Sequence, residues 1–147
     1  MHFTDLFHNQ LFICGLTAWA AAQLLKAIIY AIQNGKFEIS RLFGDGGMPS
    51  GHSAIVSAVA TSCAMKYGLI SDQFAIAAMI ALIVMHDASG VRLESGKQAR
   101  AINEIFEHLR TYSLNSPREN LKEMLGHTPI QVFCGCAVGI IVAIIFN

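Results

Sequence analysis

From Leu11 to Ile32 the chain carries a single charged residue, Lys26, and three more stretches of similar character follow it. They run from about Ser53 to Ile70, from about Phe74 to Met85 (to Gly90 if His86 and Asp87 are included), and from about Pro129 to Phe146. A helix that crosses a bilayer needs about 20 predominantly apolar residues, within a range of about 17–25. The first, second and fourth stretches meet that length; the third is short. Four such runs in 147 residues leave no room for a second core. The expected fold is all-α: one domain over residues 1–147, an integral membrane bundle of about four transmembrane helices. A greasy soluble bundle remains the alternative, and it requires the four runs to pack on one another.

Composition narrows the function classes. Charged residues make up 14% and apolar ones 54%, against roughly 25% charged in soluble domains, which excludes a disordered chain. Ten Lys+Arg balance ten Asp+Glu, so a nucleic-acid partner held by bulk basic charge is not expected. Cys14, Cys63, Cys134 and Cys136 all lie inside apolar runs, where free cysteine behaves as a small buried hydrophobe. Neither a disulfide scaffold nor a zinc site follows from them. The N-terminal MHFTDLFHNQ has no Lys or Arg before its apolar run and does not read as a secretory signal.

Two polar regions separate the apolar runs: a loop from Asn34 to Met48, and an insert from Val91 to Thr128, about residues 91–128. In Lys97–Arg110 the residues Ala101, Ile102, Ile105, Phe106 and Leu109 form an apolar stripe at helical spacing, suited to packing on the bundle or the membrane surface. Ser116-Pro117-Arg118-Glu119 then reads as the start of a second helix, with an N-cap, a proline at the first position and an acid at the third. Lys36, Arg41, Arg92, Lys97, Arg100, Arg110, Arg118 and Lys122 all fall in these two regions. The positive-inside rule therefore predicts a protein of bacterial inner-membrane type with a cytoplasmic insert and both termini outside.

That topology collects the unusual polar residues at one end. Gln23, Lys26 and Tyr30 share a face of the first helix. Gly46-Gly47-Met48-Pro49-Ser50-Gly51-His52-Ser53 leads into the second helix. His86, Asp87, Ser89 and Arg92 close the third; Gly126-His127-Thr128-Pro129 opens the fourth, with Thr128 as its N-cap. Helix N-termini present unpaired N–H groups and partial positive charge, which favour anions. Two such ends, each with a histidine, beside Lys26 and Arg92, make a pocket for a phosphate-like group. A histidine titrates near pH 6.5 and can act as nucleophile or proton donor. A lysine two turns inside a membrane helix marks a functional site by default, although it can also snorkel to the interface. His2, His8 and His108 have no such company and read as surface residues.

Pro49-Ser50-Gly51-His52 resembles the PSGH signature of the type 2 phosphatidic acid phosphatase superfamily, which also contains vanadium haloperoxidases. The wider set resembles its divergent bacterial and plant branch. That set is the Gly-Gly-Met-Pro-Ser-Gly-His-Ser run, Val84 to Arg92, Gly96, Gln98, Ala99, Asn103 and Leu125 to Pro129. The resemblance implies Lys26 and Arg92 as phosphate-binding residues beside Ser50 and Gly51, His52 as general acid, and His127 as the nucleophile that becomes phosphohistidine. This sequence departs from the superfamily pattern at three places. Gln33-Asn34 stands where Arg-Pro is expected, with Arg41 as a possible replacement. Gln131 stands where an aspartate orients the nucleophile, and Asp87 is the nearest candidate carboxylate. Arg92 and His127 are 35 residues apart rather than six, because the insert lies between them.

Two function classes follow. One is a phosphatase-like membrane enzyme that hydrolyses a lipid phosphate or diphosphate, with no metal or other cofactor required by the chemistry. The other is a non-catalytic membrane protein that binds or moves a phosphorylated lipid. Vanadate-dependent haloperoxidase chemistry in the same pocket is a distant third. The expected partners are the lipid bilayer and a phosphorylated lipid substrate.

Overall fold

A computed structural model describes residues 3–36, 47–112, 120–121 and 126–147, apart from the side chains of residues 3 and 91–93. A short 3-10 turn, Phe3–His8, precedes α1, Gln10–Asn34. Asn9 caps α1 by accepting from the N–H groups of Leu11 and Phe12, and Gly35 ends it in the left-handed region at φ 66°. After the polar loop come α2, Gly51–Tyr67, and α3, Asp72–Ser89, capped by Ser50 and Ser71. α4, Val91–Thr111, follows α3 through Gly90 alone. The last helix, α5, spans Pro129–Phe146 and carries a full capping box from Thr128 and Gln131.

The described residues are helical with no strand, and α1, α3 with α4 running on from it, and α5 are each long and apolar enough to cross a membrane. The count of about four is therefore approximate. α2 has 17 residues, the lower limit of a crossing and ~25 Å of helix. It is the central element, packed by α1, α3 and α5. The third stretch reaches 18 residues because the helix takes in Asp72 and Gln73 at its start and His86 to Ser89 at its end. The second ends at Tyr67, short of Ile70, because Gly68 adopts φ 83° and breaks the helix.

The core explains why the soluble bundle fails. Its fully buried members are small: Cys14, Ala18, Ala22, Ala54, Ala58 and Ala143. The large side chains point outward, including Ile76, Leu82, Ile83, Phe133 and Ile144, each more than half exposed. A soluble protein of this size buries such residues. A membrane bundle does not need to, since lipid tails are as apolar as leucine and helices associate through small residues that let backbones approach. Gly135, Gly139 and Ala143 are the buried stripe of α5. A Cβ on Gly135 would collide with the Ser50 carbonyl, and one on Gly139 with the Ala54 carbonyl.

The two ends of the bundle are closed differently. At one, Asn147 donates to Ser62 at 2.7 Å, Ser62 donates to Cys14 at 3.3 Å, and Gln10 donates to Asn147 at 2.9 Å. α1, α2 and α5 thus meet there by the start of α1 and the ends of the other two. At the opposite end, the Ser50 N–H donates to the Gln131 carbonyl at 3.0 Å and the His127 N–H to the Ala88 carbonyl at 3.1 Å. That is the end where the polar residues gather.

The insert differs from expectation in its packing. The buried positions of α4 are Gly96, Ala99 and Asn103, and Asn103 exchanges two hydrogen bonds with the Leu121 backbone at 2.8 and 2.9 Å. Ile102 and Ile105 are exposed. The apolar stripe thus lies about a third of a turn from the buried face, and α4 packs on α3 alone among the described helices, so of the two settings expected for the stripe the membrane surface is the one left to it. The helix start expected at Ser116–Glu119 lies outside the described residues, as do Arg41 and His2.

Candidate functional site

Four helix ends assemble the site. Gln23 and Lys26 come from one face of α1 and are buried, at 8% and 7% exposure. Lys26 is thus no surface lysine with its head in bulk water. Gly47, at φ 82°, lies over it, so near that a Cβ would be 3.5 Å from the Lys26 Cγ and Cδ. Only glycine takes that backbone conformation without strain.

Ser50 and Gly51 form the N-terminus of α2, and both are buried. The Ser50 hydroxyl caps the Ser53 N–H at 3.4 Å and receives the Ser53 hydroxyl at 3.1 Å. The first N–H groups of a helix have no partner inside it, so Gly51 and His52 bring donors and the positive end of the dipole to this spot. Trp19 and Gln23 lie against Gly51, with the indole Cδ1 at 3.3 Å and the amide Oε1 at 3.8 Å from where its Cβ would sit. Gln23 Oε1 is buried and accepts no hydrogen bond from any described residue.

His127 sits just before α5, 5% exposed, and its ring centroid is 6.4 Å from that of His52 at an interplanar angle of 61°. Its Nδ1 is 3.2 Å from Gln131 Oε1. The same oxygen accepts the Thr128 N–H at 3.1 Å. A backbone N–H can only donate, so the amide atom facing it is the oxygen. An amide oxygen can only accept, so Nδ1 carries the proton. Nε2 is left with the lone pair.

Burial is the main influence on the His127 imidazole and holds it below the usual histidine range. The Lys26 ammonium and the His52 ring push the same way, while acceptors at Gln131 and the Gly47 backbone oppose them. A neutral ring can satisfy one of those two acceptors, and the capping box fixes Gln131 in place for that role. The net direction favours the neutral ring.

Asp87 occupies the last turn of α3, half-buried, beside the Ala88 carbonyl that holds the His127 backbone. With Leu82, Ile83 and His86 it lines a shallow groove of about 400 Å³. The orienting partner on Nδ1 is the neutral Gln131. Arg92 lies in the first turn of α4, three residues past Ser89 in the chain; its side chain is outside the description. Among the described residues no three His, Cys, Asp or Glu side chains converge on a metal position. His8 and His108 are exposed and away from the site.

Residues 7–142 match the divergent PAP2 family. The chain belongs to that family. A membrane protein of Bacillus subtilis (strain 168), YuiD, described as uncharacterized, is 38% identical over 151 residues, covering 96% of each chain. No solved structure matches. As a divergent PAP2 protein, the chain is a membrane protein with the PSGH run at the start of its central helix. Sequence reasoning passed over Trp19, the Gly47 backbone and the Ala88 carbonyl. Trp19 was legible in principle, since it stands four residues before Gln23 and so on the same helix face.

Proposed function

We propose that this divergent PAP2 protein is a membrane phosphohydrolase acting on a lipid phosphate or diphosphate through a phosphohistidine. One observation carries the reading: two histidines from the N-termini of two helices face each other beside a buried lysine. Lys26, Arg92, the Ser50 hydroxyl and the N–H groups of Gly51 and His52 hold the phosphoryl oxygens. His127 Nε2 attacks phosphorus, the bond to the leaving oxygen breaks, and His52 protonates that oxygen. Water then attacks the phosphohistidine, with His52 taking its proton, and inorganic phosphate leaves. In-line transfer needs about 3 Å from attacking nitrogen to phosphorus and about 3 Å from acid to leaving oxygen. Because the site lies at the end rich in Lys and Arg, it faces the cytoplasm, and both termini lie outside.

The test is phosphate release by the purified protein in detergent, with lipid phosphates and diphosphates and a chromogenic ester as substrates. Turnover should be lost in His127→Ala. A folded wild-type protein that turns over none of them overturns the enzyme reading. Gln131 favours a second one, in which the protein binds or moves a phosphorylated lipid without hydrolysing it. A neutral amide fixes the imidazole tautomer but does not stabilise its cation as a carboxylate does.

A further inference from the structure

At the Gly51 end of α2 the helix N-terminus and the Trp19 indole supply hydrogens to donate, and the buried Lys26 beneath Gly47 adds positive charge to the same site. Gln23 is the exception. The residue is 92% buried, from 8% exposure, and its buried Oε1 lies over Gly51 with no donor from any described residue. An amide oxygen only accepts. Burying an acceptor without a donor is unfavourable, so this one fits a ligand that brings a hydrogen of its own.

We propose that Gln23 selects a phosphate group that still carries a proton, accepting a hydrogen bond from its P–OH. The inference rests on the phosphate-site reading above and narrows its substrate class. Inorganic phosphate keeps an O–H throughout the neutral range, and a phosphate monoester keeps one in its monoanionic form, which its second pKa of about 6 favours on the acid side of neutrality. A phosphodiester and sulfate keep none, and either would set an anionic oxygen against the Gln23 carbonyl oxygen. That arrangement rejects by repulsion rather than by weaker attraction. The consequence for a membrane protein is direct. The diester headgroups that make up most of a bilayer are excluded, while a rare monoester lipid is admitted by the same basic pocket.

The test is calorimetric titration of the full-length protein in detergent with inorganic phosphate and with sulfate, which match in shape and differ in the proton. Wild type should bind phosphate at least about tenfold more tightly than sulfate. Gln23→Met removes the acceptor at similar volume and should bring the two within about twofold. Gln23→Glu keeps an acceptor and should still bind phosphate while losing sulfate, which serves if Gln23→Met does not fold. Equal binding of both anions by wild type overturns the selection and leaves the phosphate site intact; it is the result expected if the amide presents its nitrogen to the ligand. An undiminished preference in Gln23→Met overturns it as well. Failure of wild type to bind either anion removes the phosphate site and this inference together.

Discussion

Gly135→Ala tests whether the site is built by the closeness of α2 and α5. A Cβ at residue 135 would meet the Ser50 carbonyl carbon at 3.1 Å and the Ser53 Cβ at 3.0 Å, with the Ser50 carbonyl oxygen nearer still. Two of those three atoms are backbone, so no rotamer relieves them and α5 must move away from α2. Overpacking of this kind costs about 1–3 kcal/mol. At about 2–4 °C per kcal/mol for a chain of this size, the unfolding midpoint in detergent should fall by roughly 2–12 °C. The same movement stretches the 3.0 Å bond between Ser50 and the Gln131 carbonyl, on which the spacing of His52 and His127 depends. A displacement of ~1 Å can cost about 100-fold in rate. Gly139→Ala is the control, because its Cβ would meet the Ser57 hydroxyl at 2.6 Å and the Ala58 nitrogen at 2.9 Å, one turn farther from the histidines. Thermal unfolding followed by fluorescence, beside phosphate release, separates the two. Both variants should be destabilised, and Gly135→Ala should lose more turnover at equal midpoint. A Gly135→Ala protein with wild-type midpoint and turnover refutes the packing argument.

Acidification should destabilise the fold through His127. Its folded pKa is depressed, so below the unfolded value of about 6.5 the unfolded chain binds the extra proton. The stability present above pH 6.5 is lost as pH falls through that value and levels off below the depressed one. Unfolding midpoints at pH 7.5 and 5.5 should therefore converge more in His127→Gln than in wild type. Gln131→Glu keeps the capping acceptor for Thr128 and places a carboxylate on Nδ1, which raises the His127 pKa. The acid limb of the turnover profile should move to higher pH, and an unmoved limb removes Gln131 from the site. Tyr112, 75% exposed at the end of α4, reports orientation. A cysteine placed there, in a background lacking the native cysteines, should resist an impermeant thiol reagent in intact cells and react after lysis.

The helices were legible where periodicity and capping agreed. Pro129–Phe146 was read to the residue because Thr128, Pro129 and Gln131 spell a capping box. The α4 stripe was legible as an apolar face, but spacing does not say what covers it. The buried face instead holds Gly96, Ala99 and Asn103, small or polar residues with no hydrophobic signature. The site was legible as a set of residue types gathered at one end of the bundle. Its internal wiring was not: the contact between Nδ1 and Gln131 depends on a rotamer, and the Ala88 carbonyl is a backbone group that sequence cannot single out.

The insert poses a physical question that these contacts answer. It separates Arg92 from His127 by 35 positions, yet the phosphate pocket proposed above would tolerate only small displacements of its groups. The His127 N–H donates to the Ala88 carbonyl at 3.1 Å, and the Gln131 carbonyl accepts from Ser50 at 3.0 Å. The first bond joins the end of α3 to the start of α5; the second joins α5 to the PSGH turn. Neither runs through the insert. A chain of any length can therefore be placed between Gly90 and Gly126 at a loop-closure cost that grows only with the logarithm of that length. The pocket's geometry is set by helix ends bonded to one another, which is why a long insertion can separate two parts of the signature in sequence without separating the two helix ends that hold them.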